Sequence, residues 1–140
     1  MKKILIDTDV ILDFFFDRKP FSEYSSQVLA LCETGKIKGY VTPVICSNLY
    51  YLLRQTAPHK KVIEKLGLLL SFVDVIQMNK ETIMAAINSE FKDFEDALQN
   101  FAAQKAGNIN VIVTRNVKDF FFFFISVLSP NNFLTVINLK

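Results

Sequence analysis

Residues 4–15 read ILIDTDVILDFF, an apolar run that meets Asp7, Thr8 and Asp9 and then turns apolar again. The first run has no polar alternation, as expected of a strand covered on both faces, and the residues after it read as the start of a helix. Asp7, Asp9 and Asp13 make the stretch unsuited to a signal sequence or a membrane span, where each charge would be costly. A second run of the same kind, INVIVT at 109–114, leads into Arg115, Asn116 and, a few residues on, Asp119. Further β-rich runs lie at 39–43 (GYVTP) and 72–78 (FVDVIQM), with a weaker one at 125–129 (ISVLS). Helical patterns over about 22–34, 44–56, 59–70, 80–89 and 93–106 separate them. That alternation predicts an α/β fold with a central parallel sheet of about four to five strands, ILI and VIV at its centre. Sites in such sheets lie beyond the carboxyl ends of the strands, near the point where strand order reverses. The polar groups after 3–7 and 109–114 are therefore the candidate site.

The chain has 140 residues, enough for one ordinary domain spanning 1–140, and shows neither an internal repeat nor a Gly/Ser/Pro-rich linker. A hydrophobic share of 51%, with 14 phenylalanines and no tryptophan, indicates a packed globule and excludes general disorder. Cys32 and Cys46 lie in apolar surroundings and give no sign of a disulfide, which points to a reduced, cytoplasmic protein with no membrane partner. The net charge of +2 permits a polyanionic partner without requiring one.

The densest charge is in SEFKDFEDALQ, residues 89–99, where Glu90, Asp93, Glu95 and Asp96 fall together. On a helix, Phe91, Phe94, Leu98, Phe101 and Ala102 form one stripe, expected to face the sheet, while Asp93 and Asp96 share the other side with Asn100. The acids have two readings. In one they are solvated and favour the positive end of the helix dipole. In the other they are half of a cation cradle whose other half is Asp7, because gathered carboxylates repel unless a cation neutralises them. Oxygen donors suit Mg²⁺ or Mn²⁺, and a single histidine, His59, gives no basis for a zinc site. Asp9 reads as a helix cap, and His59 as an exposed residue in a first helical turn. The stretch RQTAPHKK at 54–61 is a solvated loop or a phosphate-binding edge. Tyr50 and Tyr51 are core or a platform for a base. The Phe120–Phe124 run within DFFFFFI (119–125) has neither strand nor helix periodicity, and is irregular core or a dimer or partner contact.

Taken together, ILIDTDVILDFF, FKDFEDALQ, VIVTRNVKDF and SVLSPNNFL resemble the PIN domain, a nuclease fold found in toxins of type II toxin–antitoxin pairs and in RNA-processing enzymes. The resemblance implies a three-layer α/β/α sandwich whose acidic pocket binds Mg²⁺ or Mn²⁺ and hydrolyses RNA phosphodiester bonds. It also implies a cognate antitoxin protein and a homodimer. Carried onto this chain, it assigns catalysis to Asp7, Asp96 and Asp93, and metal binding to Asp7, Asp96, Asn116 and Asp119. Thr8, Thr114 and Asn48 would support them, and Arg115 would touch substrate phosphate. Asn48 stands where family members often carry glutamate. An amide offers a neutral oxygen but cannot act as a general base or hold a second cation, so one tightly held ion is expected. Asn116 likewise replaces a charge. A PIN-like binding or dimerisation module without turnover is therefore the alternative. The motif ILIDTDV also resembles haloacid-dehalogenase-type phosphatases, with Asp7 as nucleophile and Asp9 as acid; there the acids of DFED should come after the strand at 109–114, and here they precede it.

Overall fold

The buried run Ile4, Leu5 and Ile6 forms the middle of a five-stranded sheet in the computed structural model, which describes residues 2–117 and 125–138. Strand β1 (Lys3–Ile6) pairs in parallel with β2 (Lys38–Val41) on one side and with β4 (Val111–Val113) on the other. Beyond them lie β3 (Val73–Val75) and β5 (Ser126–Leu128), both parallel, giving the order β3-β2-β1-β4-β5. All five strands stand within a few residues of the predicted runs. Two strands with both faces covered carry uninterrupted aliphatic side chains, and β1 and β4 do so.

The helices are α1 (Thr8–Phe15), α2 (Phe21–Glu33), α3 (Pro43–Arg54), α4 (His59–Leu70), α5 (Lys80–Ile87), α6 (Phe94–Ala106) and α7 (Pro130–Asn138). They flank the sheet on both sides, completing the α/β/α sandwich. Among the described residues no helix is long and apolar enough to cross a membrane. Gly39 of β2 allows close contact with α2: a Cβ there would sit 2.7 Å from Cys32 Sγ. Helix α7 extends the fold past the last predicted strand. Its start reflects local chemistry, with Pro130 at the first helical position and Ser129 Oγ accepting from the Asn132 amide at 3.1 Å.

The predicted stripe of α6 needs correction. Ala97 and Leu98 pack with Ala86 of α5, flanked by Phe91 and Phe101, whereas Ala102 and Ala103 join the main core. Phe94 is 51% exposed, and Asn100, expected beside Asp93 and Asp96 on the side away from the sheet, is fully buried. The helix therefore divides its apolar surface between α5 and the main core, and Gln99 and Asn100 end up inside. Gly107 ends it in the left-handed conformation, φ 76°.

Candidate active site

Strand order reverses between β1 and β4, so their carboxyl ends leave a crevice between two diverging connections. Asp7 sits at that point. Its amide donates to Val113 O at 3.0 Å, continuing the β1–β4 ladder by one residue, and its side chain caps α1. Asp7 Oδ1 accepts from the Thr8 amide at 2.8 Å and from Gln99 Nε2 at 3.0 Å, while Oδ2 accepts from Thr114 Oγ1 at 2.8 Å. Thr114 Oγ1 also accepts from the Asn116 amide at 3.2 Å, tying the turn after β4 to the same carboxylate. Three donors from three segments fix this one side chain.

Around it opens a cavity of about 550 Å³ lined by Asp7, Thr8, Asp9, Asn48, Asp93, Glu95, Asp96 and Asn116, with Leu12, Tyr51 and Leu52 at its apolar side. The structure thus brings together Asp7, Asp93, Asp96, Thr8, Asn48 and Asn116 from the predicted set. Thr114 joins through Asp7. Thr8 contacts Asp7 by its amide; its hydroxyl is buried with no hydrogen-bond partner. Asp93 is also the cap of α6, its Oδ1 accepting from the Asp96 amide at 2.9 Å. Asp119 and the Phe120–Phe124 run lie outside the described residues.

Arg115 does not line this cavity. Its Nε lies 2.6 Å from Asp13 Oδ2, its Nη2 donates to Asp13 Oδ1 at 3.2 Å, and its guanidinium carbon is 4.1 Å from the centre of the Phe21 ring. Asp13, fully buried, is the partner that long-range folding supplies. Asp9 is not the helix cap that the sequence suggested, since Asp7 takes that role. Asp9 instead lines the cavity, with Oδ2 accepting from the Arg115 amide at 3.3 Å and Oδ1 buried without a partner. Tyr51 is 68% exposed on the rim, and Tyr50 Oη lies 2.8 Å from His59 Nδ1, away from the acids.

Electrostatics register the crowding. Burial first, and then the charge of Asp7, push the Asp9 carboxyl up to about 7, against the pull of Arg115. Burial, then Asp7 and Asp93, raise Glu95, which a hydrogen bond from Asn48 partly offsets. Both shifts express burial of the carboxyl first and negative charge held close by second. Among the described residues no three His, Cys, Asp or Glu side chains gather closely enough to chelate an ion unaided. Magnesium is commonly held by one or two carboxylates with water completing the octahedron, so this oxygen-only donor set fits Mg²⁺ or Mn²⁺. The orphaned Asp9 Oδ1 at the cavity is a second observation in that direction.

Two residues of this site escaped the sequence reading. Gln99 looks like any helical glutamine until α6 docks, although its spacing of three from Asp96 places both on one helix face. Glu95 is one acid among four in the sequence, and the hydrogen bond it receives from Asn48 appears only once α3 and α6 share the cleft.

A parallel sheet with this order and an acidic crevice at its switch point describes a PIN-type α/β/α domain, and the PIN domain family profile matches residues 3–118: the chain belongs to that family. Ribonuclease VapC1 of Aquifex aeolicus is 27% identical over 137 residues, which cover 94% of this chain and 93% of that relative. Two solved structures share the fold: VapBC-1 of nontypeable Haemophilus influenzae (TM-score 0.67, 14% identity, covering 92% of this chain and 98% of that one) and VapBC2 of Rickettsia felis bound to a promoter DNA fragment (0.65, 15%, 91% and 97%).

Proposed function

We propose that this chain is a metal-dependent endoribonuclease, the toxin of a type II toxin–antitoxin pair. The observation that carries the reading is Asp7, held by three hydrogen bonds at the mouth of a cavity that four further carboxylates line. The ribonuclease relative matches over nearly the full length of both chains and supports it. Asp7 and Asp96 would hold a Mg²⁺ or Mn²⁺ ion, with the Asn116 amide as a neutral oxygen donor. Such an ion, when bound, acidifies water and neutralises charge developing on the phosphoryl oxygens. Thr114 and Gln99 keep Asp7 from rotating. Asp93 caps α6 and so sets the position of Asp96. Glu95, hydrogen-bonded by Asn48, supplies a carboxylate at the α3 side of the cleft, where the sequence itself offers only an amide. That pairing favours turnover over a module that has lost it.

The antitoxin and a homodimer belong to the same reading. The fold neighbours are toxin–antitoxin complexes, and a cavity of about 180 Å³ between α1, α2 and α4, lined by Phe14, Phe15, Leu29, Leu68 and Phe72, offers an apolar seat.

Cleavage of single-stranded RNA with Mg²⁺, Mn²⁺ or EDTA tests the proposal, with Asp7→Asn, Asp96→Asn and Glu95→Gln beside the wild type and Mn²⁺ binding followed by calorimetry. Ion-dependent cleavage that Asp7→Asn and Asp96→Asn abolish, with weaker Mn²⁺ binding and intact folding, is expected. A wild type that neither cuts RNA nor binds Mn²⁺ refutes it.

A further inference from the structure

Asn116 lines two cavities. The second, of about 380 Å³, opens on the same end of the sheet between the starts of α2 and α7 and is walled by Phe21, Tyr24, Arg115, Asn116, Ser129 and Asn131. Its size falls in the range of small-ligand pockets, and its chemistry differs from that of its neighbour: among the described residues no carboxylate lines it. Phe21 is 40% exposed, and the Arg115 guanidinium lies over its ring at 4.1 Å. A hydrogen bond from Nη2 to Asp13 Oδ1 at 3.2 Å and the ion-pair approach of Nε to Oδ2 at 2.6 Å hold the guanidinium beside that ring before any ligand arrives. Aromatic rings and guanidinium planes stack on nucleobases, and amide and hydroxyl groups such as those of Asn116, Asn131 and Ser129 pair with base edges. Only an unstacked base can enter a cleft of this kind.

We propose that this cavity receives the base of a single-stranded RNA nucleotide next to the phosphate engaged at the acidic cavity, with Asn116 at the boundary between the two. The proposal rests on the ribonuclease reading and adds to it the site that selects sequence at the cut.

The test uses Phe21→Ala, Phe21→Tyr and Asn131→Ala in two backgrounds. In Asp96→Asn protein, binding of a short labelled single-stranded RNA and of its duplex is measured by fluorescence anisotropy. In otherwise wild-type protein, KM and the bases flanking the cut are read by sequencing the products. Phe21→Ala should weaken single-strand binding about tenfold, as loss of one stacked base does. Phe21→Tyr should restore it, the duplex should bind poorly throughout, and Asn131→Ala, at an exposed position, should change base preference without moving the unfolding midpoint. If the wild type cleaves RNA and Phe21→Ala and Asn131→Ala leave KM and base preference unchanged, the subsite is refuted and the ribonuclease reading stands. If no RNA is bound or cut by any form, both fall.

Discussion

Replacing Arg115 with alanine should damage the fold before it affects any substrate. Asp13 is fully buried, and Arg115 meets it with Nε at 2.6 Å and Nη2 at 3.2 Å, while Arg18 stands further off at 3.7 Å and is itself 44% exposed. Removing one member of a buried pair costs about 3–5 kcal/mol, because the remaining charge is stranded. Arg18 can recover some of that, which puts Arg115→Ala at about 3 kcal/mol, a fall of roughly 10 °C in Tm for a chain of this size. Burial already raises the Asp13 carboxyl despite the opposing pull of Arg115 and Arg18, and without Arg115 it must rise further. A carboxyl raised in the folded state is stabilising below its unfolded value near 3.8 and loses that contribution as pH rises through the folded value. The deficit of Arg115→Ala should therefore be largest near neutral pH and shrink on acidification. Adding Asp13→Asn should recover part of it. Urea unfolding monitored by circular dichroism, at neutral and mildly acidic pH, measures all three quantities. A deficit below about 1 kcal/mol, equal at both pH values, would overturn this account of the pair, since exposed pairs behave in that way.

Asp9→Asn should stabilise the metal-free protein. With Asp9 at about 7 against 3.8 unfolded, folding weakens as pH rises between those values, by at most about 4 kcal/mol at neutral pH and about half that once water in the open cleft is counted. Unfolding in EDTA should show the variant more stable and its pH slope flatter over that window; an unchanged slope would mean that burial and the charge of Asp7 do not hold this carboxyl up. Gly39→Ala should destabilise by about 1–3 kcal/mol, because its Cβ would press on Cys32 Sγ at 2.7 Å, and Cys32→Ala in the same chain should relieve it. Thermal unfolding of the two single variants and the double variant decides, and additive losses would mean the contact is not the reason. The Cys32 thiol, which burial pushes up to about 12, should stay inert to alkylation near neutral pH until the chain unfolds.

The strands were legible because two-sided burial writes itself as consecutive aliphatic residues, as in Ile4–Ile6 and Val111–Val113, each followed by polar turn residues. The location of the site came from topology, since Asp7 and Thr114 end the two strands that flank the switch point. Direction across the cleft was beyond the reach of sequence. Periodicity puts Asn100 and Asp96, four apart, on one side of the helix, yet the docking of α6 buries one and leaves the other at the cavity. Arg115 looked available for phosphate because its partner, Asp13, is 102 positions away in the chain. Gln99 carries no sign of its role for the same reason, with 92 positions between it and Asp7. Helix α7 is short and starts directly after a strand, which left its apolar periodicity too brief to register.

Two of the three hydrogen bonds that fix Asp7 join residues separated by 92 and 107 positions. Contacts so distant in sequence form late, after the entropy of closing nearly the whole chain has been spent. During synthesis, Asp7 leaves the ribosome early and waits for α6 and β4, so a fragment ending before residue 114 contains most of the carboxylates but not the framework that aligns them. The last third of translation, which delivers Glu95 and Asp96 together with α6 and β4, is then the step at which the polypeptide assembles the cleft.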